Sequence, residues 1–427
     1  MPTPRAAGVV CGLLMLSAPA LAQAPLATGV HIVPTPGGYG LIRNGNRFFA
    51  KGTCGASLLD RVGPAGGNAV RLYGTKGLEQ VQASGLVALV GLDFKRQGSE
   101  VDYLNAGQVA AQRARLVQKV RELKSNPTVL MWVLGNETES SAKTDTQRLA
   151  IWRAMNDAAR AVKAADPDHP VTISLAGTRW VHEVSQNCPD LDLLGVNTYG
   201  GIFSLASQLS AAGWRRPYVV TEFGPIGHWE APHTPRPWNT PIEADSTSKA
   251  ATYRAGYAAG IANQPRCLGS FVFLWGHKQE KTHTWFGMFL DEDDAPVGAV
   301  DAMTLCWTGK PPADLCPAIG PKKLALSGPA SHEYAALARI NCELDVQDPE
   351  GKPLAITFEL RRDVADAPQT GGDPEPPTEP LAGAVVSHSG NKAVIALPAG
   401  KGNYRIFAYA RDPGGRAATV NVPVRVP

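Results

Sequence analysis

Short unbroken apolar runs alternate, through most of the chain, with stretches whose apolar residues recur every three or four positions. The runs are Phe48–Gly52, Ala69–Leu72, Val87–Leu92, Val129–Leu134, Val171–Leu175, Leu191–Val196, Tyr218–Thr221 and Ser270–Leu274. Continuous apolar runs of this length predict strands buried on both faces, as in a parallel sheet. Between them, Val109, Leu116, Val120 and Leu123 recur at helical spacing, and so do Leu149, Trp152, Met155, Ala159 and Val162. A further helical pattern covers Ser246 to Asn263, with Asp245 or Thr247 available as its N-cap. Ahead of the first run, "GGYGLIRNGNRFFAKG" (Gly37 to Gly52) reads as a hairpin turning at Asn44-Gly45. Eight buried strands, mostly followed by helices, predict an α/β fold, the (β/α)8 TIM barrel, of about 250 residues. The competing architecture is an open doubly wound sheet, but no G-x-G-x-x-G follows the first strand. The first two β–α units are short, so the barrel is expected to be trimmed there.

From about Lys322 the pattern changes. "CELDVQDPEGKPLAITFELRRD" and "GNYRIFAYARDPGGRAATVNVPVRV" alternate apolar and polar residues across Asp-Pro and Gly turns. That alternation predicts an antiparallel β-sandwich. Ala367 to Gly383 is rich in Pro and Gly and reads as a loop between its halves. The expected division is a signal peptide over 1–22, a catalytic barrel with its N-terminal hairpin over 23–318, and an accessory sandwich over 319–427.

Composition narrows the function classes. The 427 residues carry a net charge of +3 with 19% charged side chains, a balance that gives no electrostatic footprint for nucleic acid. Arg5, the apolar stretch Ala6 to Leu16 and the small-x-small site Ala20-Leu21-Ala22 form a secretory signal pattern. Cleavage near Ala22 would export the chain to the periplasm or the medium, and the apolar run is too short to span a membrane. In an oxidising compartment Cys306 and Cys316, which flank a short Pro-containing loop, are the best candidate disulfide among Cys54, Cys188, Cys267, Cys306, Cys316 and Cys342.

The chemistry is legible at two strand ends. "MWVLGNE" runs from a buried strand into Asn136 and Glu137, and "PYVVTEFGP" runs from the seventh strand into Glu222. Barrel active sites lie at the C-terminal ends of the strands, so both glutamates are expected at one mouth. Two carboxylates facing one cleft suit glycoside hydrolysis: one protonates the leaving oxygen while the other attacks the anomeric carbon.

Those stretches also resemble a known group. "SNPTVLMWVLGNE" and "PYVVTEFG" are similar to the fourth- and seventh-strand signatures of retaining (β/α)8 glycosidases. "NGNRFFAKG" and "KSNPTVLMWVLGNE" most resemble the barrel domain of glycoside hydrolase family two. "VRLYGTKGLEQVQASGLVALVGLDF" (Val70 to Phe94) is similar to β-1,3-glucanases and glucanosyltransferases. The resemblance implies Glu137 as general acid/base, Glu222 as nucleophile, and Asn136 as a partner of the sugar 2-hydroxyl. It further implies that Arg71 keeps Glu222 ionised, that Tyr199 donates to Glu222, and that Trp275 floors the subsite of the attacked sugar. Asn197 and Trp285 complete the expected substrate contacts. No metal or cofactor is implied.

Other residues have milder readings. Glu139, two positions past Glu137, reads as a solvated loop charge. Trp180, Trp229, Trp238, Trp275 and Trp285 follow predicted strand ends, where indole faces suit sugar rings. Trp132 and Trp152 fall inside elements and read as core. His228, His233, His277 and His283 match no ligand spacing and are candidates only for sugar hydroxyl contacts. The expected function is a retaining β-glycosidase acting on an oligo- or polysaccharide such as a β-glucan. A transglycosylase with the same two glutamates is the alternative, and a barrel that only binds carbohydrate is a third. The sandwich is expected to brace the barrel.

Overall fold

The structure is a computed structural model describing residues 1, 29–236, 238–364 and 375–427. The signal pattern and residues 365–374, which include the start of the Pro/Gly-rich loop, lie outside the described residues.

The chain opens with β1 (Val30–Thr35), β2 (Gly38–Arg43) and β3 (Asn46–Phe48), a three-stranded antiparallel sheet. The β2–β3 turn is Asn44-Gly45, both at positive φ (48° and 78°), the geometry that a tight hairpin needs. Eight parallel strands then close a barrel: β4 (Ala50–Cys54), β5 (Ala69–Leu72), β6 (Val87–Leu92), β7 (Val129–Leu134), β8 (Val171–Ala176), β9 (Leu194–Asn197), β10 (Tyr218–Phe223) and β11 (Cys267–Val272). Every residue of β5, β6, β7, β9, β10 and β11 is buried, which is why apolar residues dominate each of them.

The helices follow from capping and amphipathicity. They are α1 (Leu78–Ala83), α2 (Ala106–Leu123), α3 (Asp145–Ala165), α4 (Val181–Asn187), α5 (Leu205–Ala211), α6 (Ser246–Tyr257) and α7 (Gly298–Thr308). Asn105, Thr144 and Asp245 cap α2, α3 and α6 through their side-chain oxygens. The patterned stretch after Asp245 is not α-helical to its end, because α6 passes into a π turn over Ala258–Ala262. After β4 a single 3-10 turn, Leu59–Arg61, replaces the helix, and α1 is six residues long, so the first two units are trimmed as expected.

Beyond the barrel, β12 (Ala318–Leu326), β13 (Arg339–Gln347), β14 (Ala355–Arg362), β15 (Val385–Ser389), β16 (Lys392–Ala396), β17 (Gly402–Arg411) and β18 (Ala417–Val426) form two antiparallel sheets, ordered β12-β13-β16-β15 and β14-β17-β18. The second sheet docks on the barrel. Phe407, Tyr409 and Ala417 join the barrel's hydrophobic core. Around them runs a buried polar seam. Arg405 bonds Asp363 at 2.8 Å and Pro241 O at 2.7 Å, while Asn421 donates to Glu243 at 2.6 Å. Glu243 also pairs with Lys249 at 2.5 Å and accepts from Thr282 and Thr284. Pro241, Glu243, Thr282 and Thr284 belong to the long loops after β10 and β11, so the sandwich fixes the segments that overhang the barrel mouth.

The six described cysteines are all free, so the expected Cys306–Cys316 bridge is corrected. The Cys316 thiol is turned instead to Pro296 O at 3.3 Å and lies 3.7 Å from the Arg416 guanidinium.

Candidate active site

At the end of β7 the backbone turns sharply. Gly135 has φ +72°, and a Cβ there would sit 2.5 Å from Thr138 Oγ1. Glu137 is itself left-handed, at φ 49° and ψ 35°. A side-chain-bearing residue in that conformation costs on the order of 1 kcal/mol, and such strain gathers at functional positions. The Glu137 N–H donates to Ser174 O on β8 at 2.8 Å, which anchors the turn.

Glu222 lies near the end of β10, paired in register with Asn197 of β9. Arg71 Nη1 donates to its Oε1 at 2.7 Å and the Tyr73 hydroxyl to the same oxygen at 2.8 Å. The Tyr199 hydroxyl donates to Oε2 at 2.9 Å. Charge-assisted bonds of this kind are roughly twice as strong as neutral ones. Burial, followed by the Glu222 charge, pushes the Tyr199 phenol well above its ordinary pKa; burial, Cys54 and Glu222 do the same for Tyr73. Both phenols therefore serve as donors. Arg71 stays a cation: the charges of Tyr73, Glu222, Cys54 and Glu137 outweigh its burial and raise its pKa.

A polar lattice links the two glutamates. Besides Glu222, Arg71 donates to Asn136 Oδ1 at 2.6 Å, Ser174 Oγ at 3.1 Å, Asn197 Oδ1 at 3.1 Å and Thr221 O at 2.8 Å. Asn197 Nδ2 donates to Glu137 Oε1 at 2.7 Å and to Asn136 Oδ1 at 3.0 Å. Its own Oδ1 accepts from Ser174 at 2.8 Å and Thr221 at 2.7 Å. Because the Asn136 oxygen is held on two sides, its amide N–H groups are the part available to a ligand. Glu137 has a poorer set of donors than Glu222. Burial and then the Glu222 charge raise its pKa, against the pull of Asn197 and Arg71. One carboxylate is thus surrounded by donors, and the other is poised to carry a proton.

The structure brings Glu137, Glu222, Arg71, Asn136, Asn197 and Tyr199 together and corrects several expected roles. Trp275 is wholly buried; its N–H bonds Leu58 O at 3.1 Å and its ring packs on Phe289 and Trp307, so it offers no face to a sugar. Trp285 is also buried, with its N–H on Ile226 O at 3.0 Å. Asn197 and Arg71 are only 3% and 2% exposed, and their side chains bond the glutamates and the polar groups around them. Glu139 is buried, not solvated.

The open aromatic faces are elsewhere. Trp229, 41% exposed, stands edge-on to Tyr199 with ring centres 5.2 Å apart, and is backed by His228 at 4.9 Å. Tyr73 is 44% exposed although its hydroxyl is sealed on Glu222, and the Arg71 guanidinium lies 4.5 Å from its ring centre. The sequence reading missed Tyr73, Ser174 and Thr221. Tyr73 could have been found, since it stands two positions after Arg71 and strand side chains repeat every second residue. Of the histidines, His228 lies 3.8 Å from Glu280 and His283 bonds Tyr409 of the sandwich at 2.7 Å. His233 caps Ala231 O at 2.8 Å, and His277 lies 3.8 Å from Asp294. Among the described residues no group of three or more His, Cys, Asp or Glu is placed to hold a metal ion.

Residues 79–227, which span β6 to β10 and carry both glutamates, match the model of the glycosyl hydrolases family 2, TIM barrel domain. Comparison with curated proteins gave no match. Among solved structures, the chain is similar to Bacteroides uniformis beta-glucuronidase 2 covalently bound to cyclophellitol-6-carboxylate aziridine, at 14% identity and a TM-score of 0.48 over 91% of this chain and 47% of that one. It is also similar to the FMN-binding beta-glucuronidase from Facaelibacterium prausnitzii L2-6, at 13% identity and a TM-score of 0.49, over 93% of this chain and 58% of that one. The Parabacteroides merdae beta-glucuronidase aligns at 13% identity with a TM-score of 0.47, over 93% and 50%. This chain therefore spans about half the length of the solved structures it matches. The part of the barrel from residue 79 to residue 227 is thus similar to the TIM barrel domain of the glycosyl hydrolases family 2.

Proposed function

We propose that the protein is a retaining β-glycosidase in which Glu222 is the nucleophile and Glu137 the general acid/base. The observation that carries this reading is the asymmetry of the two carboxyls. Glu222 takes donors from Arg71, Tyr73 and Tyr199, whereas burial and the neighbouring charge favour the protonated form of Glu137. In the first step a Glu222 oxygen attacks the anomeric carbon while Glu137 gives its proton to the leaving oxygen. In the second, Glu137 takes a proton from water as that water displaces Glu222, restoring both groups. Of the two Glu222 oxygens, Oε2 has one donor and Oε1 has two, so Oε2 has more lone-pair density free for attack.

The substrate we assign is a β-linked glucan or related polysaccharide outside the cytoplasm. The similarity of Val70 to Phe94 to β-1,3-glucanases supports the linkage, the Trp229 and Tyr73 rings supply sugar-stacking faces, and the pattern from Arg5 to Ala22 supports export. Among the described residues no helix is long and apolar enough to cross a membrane. The test is Glu222→Ala with an activated β-glycoside and azide. Turnover of the glycoside should vanish, and azide, filling the space of the lost carboxylate, should yield the α-glycosyl azide. Full activity of the variant would overturn the assignment.

A further inference from the structure

Glu139 is a buried carboxyl that the double displacement does not use. It lies in the 3-10 turn Thr138–Ser141 directly after Glu137 and is 2% exposed. Its Oε1 accepts the backbone N–H of Ala176, the last residue of β8, at 2.8 Å. Its Oε2 is buried with no hydrogen-bond partner. Together with the Glu137 N–H on Ser174 O, this bond ties both ends of the strained turn to β8. Leaving an ionised oxygen buried and unpaired would cost several kcal/mol, so the group avoids charge. The charges that bear on it most are Glu137 in its own turn and Arg96 in the loop after β6, while β8 meets it with the Ala176 N–H.

Resting on the assignment of Glu137 as acid/base, we propose that Glu139 is the positioning residue for Glu137, clamping the left-handed turn to β8 as a neutral acid. Burial pushes its pKa up to about 7, against the backbone N–H groups of Ala176 and of Glu139 itself, with a smaller push from Glu137 and a smaller pull from Arg96. The neutral state matters to Glu137. A second negative charge this close would strengthen the hold of Glu137 on its proton, which suits the first step and hinders the second, where Glu137 must ionise. With Glu139 neutral, only Glu222 exerts that influence, and it does so only until it is glycosylated.

The test compares Glu139→Gln with Glu139→Ala in the full chain. Glutamine is neutral and keeps a carbonyl oxygen for Ala176. Glu139→Gln should retain kcat/KM within about threefold at pH 6, because it copies the neutral acid. Its alkaline limb should move to lower pH, because above about pH 7 the native Glu139 ionises and raises the pKa of Glu137. Glu139→Ala should lose at least about tenfold in kcat on glycosides with poor leaving groups and much less on dinitrophenyl glycosides, the pattern of a misplaced acid. The proposal is overturned if Glu139→Gln is as damaged as Glu139→Ala, if its alkaline limb coincides with that of the native protein, or if Glu139→Ala loses equally on all leaving groups. Should Glu139→Ala fail to fold, the Glu139→Gln profile decides alone. Glu137→Gln assayed in parallel separates the two readings: an active Glu137→Gln on poor leaving groups sinks the acid/base assignment, whereas normal Glu139 variants beside a dead Glu137→Gln sink only the clamp.

Discussion

Glu137→Gln isolates the acid/base step. The amide has nearly the carboxyl's shape, and its oxygen can still accept Asn197 Nδ2, now 2.7 Å from Glu137 Oε1. The Arg71–Asn136–Asn197 lattice therefore survives, and what is lost is a proton donor. Positioned general acids contribute about 10²–10⁴-fold, which corresponds to roughly 3–5 kcal/mol of barrier at 1.36 kcal/mol per decade. That loss should appear in kcat/KM for alkyl and natural glycosides. Dinitrophenyl glycosides, whose leaving groups depart unprotonated, should keep kcat/KM within about tenfold. Their second step still lacks its base, so the glycosyl-enzyme should accumulate, with a burst of phenolate, a fallen kcat and a fallen KM. Azide, needing no base, should restore turnover and give the β-glycosyl azide. The measurements are stopped-flow absorbance and intact-protein mass spectrometry. An equal collapse on activated and natural substrates, with no adduct and no azide rescue, would show that Glu137 is structural and that the site has been misassigned.

In the trapped glycosyl-enzyme the Glu222 charge is gone, and since that charge helps raise the pKa of Glu137, Glu137 should titrate at lower pH there than in the free enzyme; carbon NMR of labelled glutamate would show an unchanged midpoint if the two are uncoupled. Trp229→Ala should raise KM about tenfold or more with a smaller change in kcat, because its open ring lies beyond the glutamates; an unchanged KM across oligosaccharide lengths would remove Trp229 from the substrate path. Lys249→Met leaves the buried Glu243 charge without its cationic partner in the barrel–sandwich seam and should cost about 3–5 kcal/mol in urea unfolding; a loss under about 1 kcal/mol would mean that the bonds from Asn421, Thr282 and Thr284 suffice. Burial alone would raise the pKa of Glu243, but Lys249, Thr282 and Arg405 more than offset it and hold it below the usual carboxylate range. The native seam should therefore contribute full stability above about pH 4.5 and lose it as pH falls through the lower folded value, which acid titration of thermal unfolding would follow.

The barrel was legible because its strands are buried on both faces, so that Val129–Leu134 and Tyr218–Phe223 advertise themselves as apolar runs that stop at polar residues. β1 was not, since "VHIVPT" places His31 and Thr35 among its apolar residues, carries Pro34, and pairs only along one side with β2. The two glutamates were readable from strand count alone. The tryptophans were not: position after a strand end says nothing about which side of the wall the ring falls, and Trp275 fell into the core between barrel and α7. Glu139 reads as a loop charge because its burial depends on the end of β8, 37 residues away, closing over the turn. Tyr73 lay within reach of strand periodicity, but its hydroxyl contact depends on how β5 and β10 converge across the mouth.

The central claim is that Glu222 becomes covalently glycosylated. Incubating the native protein with a 2-deoxy-2-fluoro β-glycoside bearing a dinitrophenyl leaving group slows both steps, the second more, and should trap the intermediate. Peptide mapping by mass spectrometry should place one sugar on the peptide "PYVVTEFGP", at Glu222, with activity lost in proportion to labelling. A label on Glu137 or Glu139, or full inactivation without any adduct on Glu222, would contradict the account.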